Sequence, residues 1–163
     1  MKRKLQTGLA LSLVGMACAA RAEMPKEGEY DYISCFSGTS NTTKLSSTHS
    51  TMSTDITGII QSVVPGGPFD KETFHCIGAA MLAEGKVTNG ITFCDSTDKE
   101  GNKRLTRLVN DNGKITRENV VGTGKYEGLV MTNTSFETIG PFPPIKEGTV
   151  QNCNHQKGTY KLK

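Results

Sequence analysis

Residues 76–94 read Cys76-Ile77-Gly78-Ala79-Ala80-Met81-Leu82-Ala83-Glu84-Gly85-Lys86-Val87-Thr88-Asn89-Gly90-Ile91-Thr92-Phe93-Cys94, two apolar or β-branched runs on either side of Glu84-Gly85-Lys86. Runs of that kind, bounded by a glycine turn, form a hairpin. A three-residue turn centred on Gly85 places Cys76 opposite Cys94, and the same register sets Ile77 against Phe93, Ala79 against Ile91 and His75 against Asp95. Because side chains alternate across a strand, this register sends the apolar pairs to one face and the cysteines to the other. The rival turn, Asn89-Gly90, is a good hairpin signal by composition but leaves Cys76 without a partner at the right distance. The hairpin therefore predicts a disulfide between Cys76 and Cys94.

The other cysteines extend this framework. Five are present, and Cys18 falls in an N-terminal stretch with the marks of a leader. Lys2-Arg3-Lys4 supplies a positive start, Leu9 to Ala20 a short apolar run, and Ala20-Arg21-Ala22 a small-x-small cleavage site. The expectation is a cleavable signal peptide over residues 1–22 and a single domain over 23–163, periplasmic or secreted. In a minor alternative Gly15-Met16-Ala17-Cys18 is a lipoprotein signal anchored at Cys18, although the leucine usual three residues earlier is missing. The apolar run is short of the roughly 20 residues that span a bilayer, and no later stretch is apolar enough, so no transmembrane segment is expected. Cys35, Cys76, Cys94 and Cys153 remain, an even number in an exported chain, which reads as two disulfides. With Cys76 and Cys94 paired, elimination pairs Cys35 with Cys153 and ties the first strand to the last, as in a sheet that closes on itself.

Charge and composition narrow the function classes. The 19 basic and 16 acidic residues give +3, but Lys2, Arg3, Lys4 and Arg21 leave with the leader, so 15 face 16 and the mature chain carries −1. That excludes a basic nucleic-acid binder. With no tryptophan and 6% aromatics, a membrane bundle, a coiled coil or a large aromatic-lined catalytic cleft is also disfavoured.

Along the chain the pattern is that of short strands. Tyr30 to Phe36 alternates, with Tyr30, Tyr32 and Phe36 on one face. The Ser/Thr-rich residues 37–54 read as exposed strands and turns, with disorder as the alternative. Ile56, Ile59, Ile60, Val63 and Val64 read as a buried strand ended by Pro65-Gly66-Gly67-Pro68. Asp98 to Asn102 and Asn112-Gly113 are turns, and 103–109, 115–121, 129–136 and 149–162 complete about eight strands. Pro141-Phe142-Pro143-Pro144 is a loop. The fold class expected is all-β, an antiparallel closed barrel with two disulfides, with a β-sandwich as the alternative.

Gly122-Thr123-Gly124-Lys125-Tyr126-Glu127-Gly128 resembles a turn motif of the small barrels related to allene oxide cyclases and dirigent proteins. The segment from Cys94 through Asp98 to Lys103 and the closing Gly158-Thr159-Tyr160-Lys161-Leu162 are similar to exported bacterial members of that superfamily. The resemblance implies a barrel in which this turn links two late strands; physically, Gly122, Gly124 and Gly128 permit positive φ and close backbone approach at a corner, and Tyr126 can seal one end. Where the family often carries another G-x-G, this chain has Val130-Met131-Thr132-Asn133, and no residue set matches the cyclase pocket.

Other motifs weigh against chemistry. His75 opposite Asp95 is half of an acid–base device, but no Gly-x-Ser-x-Gly elbow supplies a nucleophile. Ser96-Thr97-Asp98-Lys99 fits Ser-x-x-Lys by chance in a polar turn, and Asp95, Asp98 and Glu100 are out of register for an EF-hand. His75-Cys76 with Cys153 and His155 is a zinc set by type but lacks zinc-finger spacing, so no metal and no cofactor are expected. In a barrel the aromatics Tyr30, Tyr32, Phe36, Phe74, Phe93, Tyr126 and Phe136 either fill the interior or line room for one small apolar ligand. The functional expectation is a binding or structural module without chemistry of its own, for such a ligand, a protein partner or a second copy. The alternative is a cyclase- or isomerase-type enzyme that steers a lipid or phenolic intermediate in the barrel.

Overall fold

Alternating side chains and glycine- or asparagine-centred turns lead most segments to pair with the one before them. The computed structural model describes residues 24–163; the expected leader, with Cys18, lies outside the described residues. Its strands are β1 (Glu27–Lys44), β2 (His49–Ser62), β3 (Glu72–Ala83), β4 (Lys86–Thr97), β5 (Lys103–Asp111), β6 (Lys114–Gly122), β7 (Leu129–Ile139) and β8 (Thr149–Leu162). They form one antiparallel sheet in the order β6-β5-β4-β3-β2-β1-β8-β7, curled into a nearly closed barrel. The single curled sheet is the barrel expected and not the sandwich. The end strands β6 and β7 share no backbone ladder; the Asn119 side-chain amide crosses the seam to the Leu129 carbonyl at 3.3 Å.

Both expected disulfides are present. Cys76 and Cys94 are direct partners on β3 and β4, and Cys35 and Cys153 on β1 and β8. Alternation from buried Tyr30, Tyr32 and Ser34 puts Cys35 on the outer face, whereas Cys76 and Cys94 are buried inside. One bridge thus pins the wall from outside and the other from within.

The hairpin that holds Cys76 and Cys94 differs from expectation at its tip. The turn has two residues, Glu84 (φ 53°) and Gly85 (φ 77°), with Ala83 opposite Lys86, in place of three centred on Gly85. Positive φ at both positions matches the right-handed twist of the flanking strands. The register that joins the cysteines is recovered by a bulge, with Met81 opposite Asn89, Leu82 opposite Val87, and Thr88 as the extra residue. Asn112 (φ 49°) and Gly113 (φ 86°) make a second turn of this type at the place expected.

A second correction concerns β2. Of the residues read as a buried strand, Ile60 is buried, but Ile59, Val63 and Val64 are exposed, and the strand ends at Ser62. Consecutive isoleucines must point to opposite faces, so a run of apolar residues on a barrel wall cannot all face inward. Residues 37–54 continue β1 and open β2 as a long hairpin, its tip at 45–48. Gly58 lies between Phe36 and Phe74 on the neighbouring strands, and a Cβ there would fall 2.5 Å from the Phe74 ring.

Candidate ligand-binding site

The barrel interior has two unlike ends. At the first, Tyr30 and Tyr32 of β1, Ile60 of β2, Leu129 and Met131 of β7 and Tyr160 of β8 converge on Phe69 and Tyr126 from the two adjoining turns. Phe69 is the hub. Its ring meets Tyr30, Tyr32 and Tyr160 edge-on at centroid distances of 5.7, 6.2 and 5.8 Å and lies tilted against Tyr126 at 5.9 Å. Edge-to-face packing at such distances is favourable beyond the buried area itself.

Below this plug lies an ion pair with no access to water. Glu72 is 0% and Arg104 2% exposed. Arg104 donates through Nε (3.1 Å) and Nη2 (2.7 Å) to Glu72 Oε2, while Nη1 reaches Thr106 Oγ1 at 3.2 Å. The Tyr126 hydroxyl donates to Glu72 Oε1 at 2.6 Å, and the guanidinium sits 4.9 Å over the Phe69 ring. Burial works against the Arg104 charge, but the Glu72 carboxylate outweighs it and holds the cation well above its ordinary pKa. Burial, and then the Glu72 charge, drives the Tyr126 hydroxyl far up. The group is fully partnered, the condition under which buried charge is tolerated.

The glycine motif builds this end. Gly124–Tyr126 is a single 3-10 turn between β6 and β7 that swings Tyr126 under the barrel. At Gly122 a Cβ would lie 2.0 Å from the Tyr126 carbonyl oxygen, and at Gly124 (φ +56°) 2.0 Å from Asn102 Oδ1, so the corner has no room for side chains. Thr123 Oγ1 accepts the Lys103 amide at 2.9 Å. Lys125 reaches back to Asp98 (2.7 Å) and Glu100 (2.9 Å). Asp98 Oδ1 also accepts the Glu100 and Asn102 amides, which shapes the β4–β5 turn. Burial would raise the Asp98 pKa, yet Lys125 and Asn102 together hold it far below the carboxylate range.

At the opposite end the inward positions shrink. Met52, Thr54, Ala80, Gly90, Thr92, Leu108, Asn110 and Ile115 have the inward parity of Cys76, Cys94 and Thr106, and they line a recess of about 190 Å³ that opens to solvent. Small side chains there leave unfilled the space that tyrosines occupy at the closed end. Leu108 is the direct partner of Arg117 on β6, which therefore stands at the inner margin of the recess.

The aromatics singled out in the sequence divide between these environments. Tyr30, Tyr32 and Tyr126 are packed into the plug. Phe74 is half-buried against the core, and Phe36 and Phe136 are half-buried on β1 and β7. Phe93 lies on the outer face opposite Ile77, 39% exposed. His75 is outside as well, its Nε2 2.9 Å from Asp55 Oδ1 and its Nδ1 3.6 Å from Asp95 Oδ1, so the His75–Asp95 pair does not reach the interior. His155 and Lys157 hold Asp31 on the outer wall, and the His155 hydrogen bond keeps the Asp31 carboxyl below its usual range.

Phe69, Glu72 and Arg104 were not legible as site residues. Phe69 follows a Pro-Gly-Gly-Pro loop, and an aromatic in so polar a turn is the one signal that it folds inward. No protein-family model matches the chain, and no curated protein and no solved structure matches it.

Proposed function

We propose that this chain is an exported, non-catalytic binding module that carries a small apolar ligand in the open end of its barrel. The observation that supports this most is the recess of about 190 Å³, lined among the described residues mainly by apolar and small side chains, with no carboxylate in its wall. An apolar cavity of about 150 Å³ stays dry and takes up benzene, so the recess is on the scale of one ring or a short chain. The fully partnered Glu72–Arg104 pair beneath the aromatic plug suits a scaffold whose other end stays free to bind. Two disulfides on strand-paired cysteines favour an oxidising compartment and so accord with the leader read at residues 1–22. The inner face at the recess offers Asn110 and threonine hydroxyls but no acid–base pair, which weighs for binding over turnover.

The test is thermal unfolding of the mature protein with benzene, toluene and cyclohexane. A ligand of the native state at a hundred times its Kd adds about 2.7 kcal/mol of stability, so the account expects a Tm increase that saturates with dose. It expects Ala80→Phe, which fills the recess, to remove that increase. No shift with any of the three, or an equal shift in Ala80→Phe, contradicts the proposal.

A further inference from the structure

The barrel interior holds two arginines on neighbouring strands, and they are provided for very differently. Arg104 has a buried carboxylate and a partner for Nε and for each terminal nitrogen. Arg117 has no carboxylate in ion-pair range among the described residues. Its Nη2 donates to the neutral Gln156 Oε1, and its buried Nε has no protein acceptor. Gln156 in turn accepts the Tyr32 hydroxyl at 3.1 Å and donates to Asn154 Oδ1 at 2.5 Å, so it has little capacity left. Among the described residues, the other buried side-chain donor without an acceptor is Asn133 Nδ2, on β7 across the open seam from β6. Leaving a buried donor unmet is costly, more so on a cation. Both orphans are donors, and what Arg117 lacks is an acceptor.

We propose that Arg117 anchors the carboxylate of an organic acid whose apolar body, one ring or a short chain, occupies the recess between Leu108, Ile115 and Thr92. The inference rests on the binding-module reading and adds the charge of the ligand to it. Leu108 pairs directly with Arg117, and Ile115, two residues before Arg117, shares its face, so the wall of the recess and the arginine adjoin along β6. The planar fork of arginine suits a carboxylate better than a point charge does.

The probes are phenylacetate, its neutral amide phenylacetamide, and benzene, titrated into the mature protein and followed by calorimetry and by the Arg117 Nε–H resonance. The account expects phenylacetate to bind at least tenfold more tightly than phenylacetamide and to shift the Nε–H signal. It expects Arg117→Met to erase that preference while benzene still binds. Arg117→Lys, which keeps the charge but not the fork, should retain part of the preference. Equal affinity for acid and amide, an unmoved Nε–H signal, or a preference that survives Arg117→Met overturns the inference and leaves the recess reading standing. If benzene also fails to bind, the binding-module reading falls with it. A markedly lower Tm in Arg117→Met, with no acid binding to the unaltered protein, means that hydration satisfies Arg117 and its role is structural.

Discussion

The closed and open ends of this barrel are built on the same strands, two or three inward residues apart, and differ in what those residues are. On β5 the inward sequence runs Arg104, Thr106, Leu108, Asn110, from a paired charge to the wall of a recess. On β3 it runs Glu72, Phe74, Cys76, Gly78, Ala80, from a buried carboxylate to small residues. Side-chain volume therefore decides where a barrel of fixed strand number is solid and where it is hollow. At the closed end aromatics fill the space and an ion pair is fully partnered; at the open end glycine, alanine and threonine leave the space unfilled. Stability should reside in the first and binding in the second.

Four variants probe this contrast. The largest effect is expected from Glu72→Ala, which leaves Arg104 buried without its counter-charge and Tyr126 without its acceptor; removing one partner of a buried pair costs about 3–5 kcal/mol. Urea unfolding should show that loss, and a change below about 1 kcal/mol would mean that the plug does not carry the fold. Replacing Cys76 and Cys94 together by serine should cost about 3 kcal/mol, the amount expected for a loop of this length, and should loosen the wall between the two ends. Unfolding with and without reductant measures it, and the variant should no longer respond to reductant through this bridge.

The third is pH-dependent. The folded-state pKa of Asp98 lies below its unfolded value of about 4, so the unfolded chain takes up protons first as the solution is acidified. The stabilisation is complete above about pH 4 and is lost as pH falls further. Lys125→Met weakens it by about 1 kcal/mol at pH 7, after allowance for the partial exposure of the ammonium. The wild-type and variant stability curves should therefore converge toward low pH; parallel curves would show that Lys125 does not act through Asp98. The smallest effect belongs to the open end: Leu108→Ala borders space that already exists, creates no new enclosed cavity, and should cost on the order of 1 kcal/mol or less by the same urea assay.

The strands and bridges were legible because they rest on alternation and turn chemistry, which are local. The Cys76–Cys94 register could be read from the spacing alone, even though the turn proved to be two residues plus a bulge at Thr88. Tyr126 at the sealed end was legible from its flanking glycines. The outward facing of Ile59, Val63 and Val64 is not legible, because hydrophobicity does not say which face of a barrel a residue takes. Phe69, Glu72, Arg104 and Arg117 are not legible for another reason. Their environment is made by strands far apart in sequence, and a charged residue at an inward position looks like any other until the partner strand is known.

Whether small apolar ligands enter the open end and not the closed one is decided by methyl-resolved NMR during a benzene titration. Shifts are expected at Met52, Ala80, Leu108 and Ile115, with Ile60, Leu129 and Met131 unmoved. Shifts at Ile60, Leu129 or Met131, or none anywhere, would contradict entry at the open end.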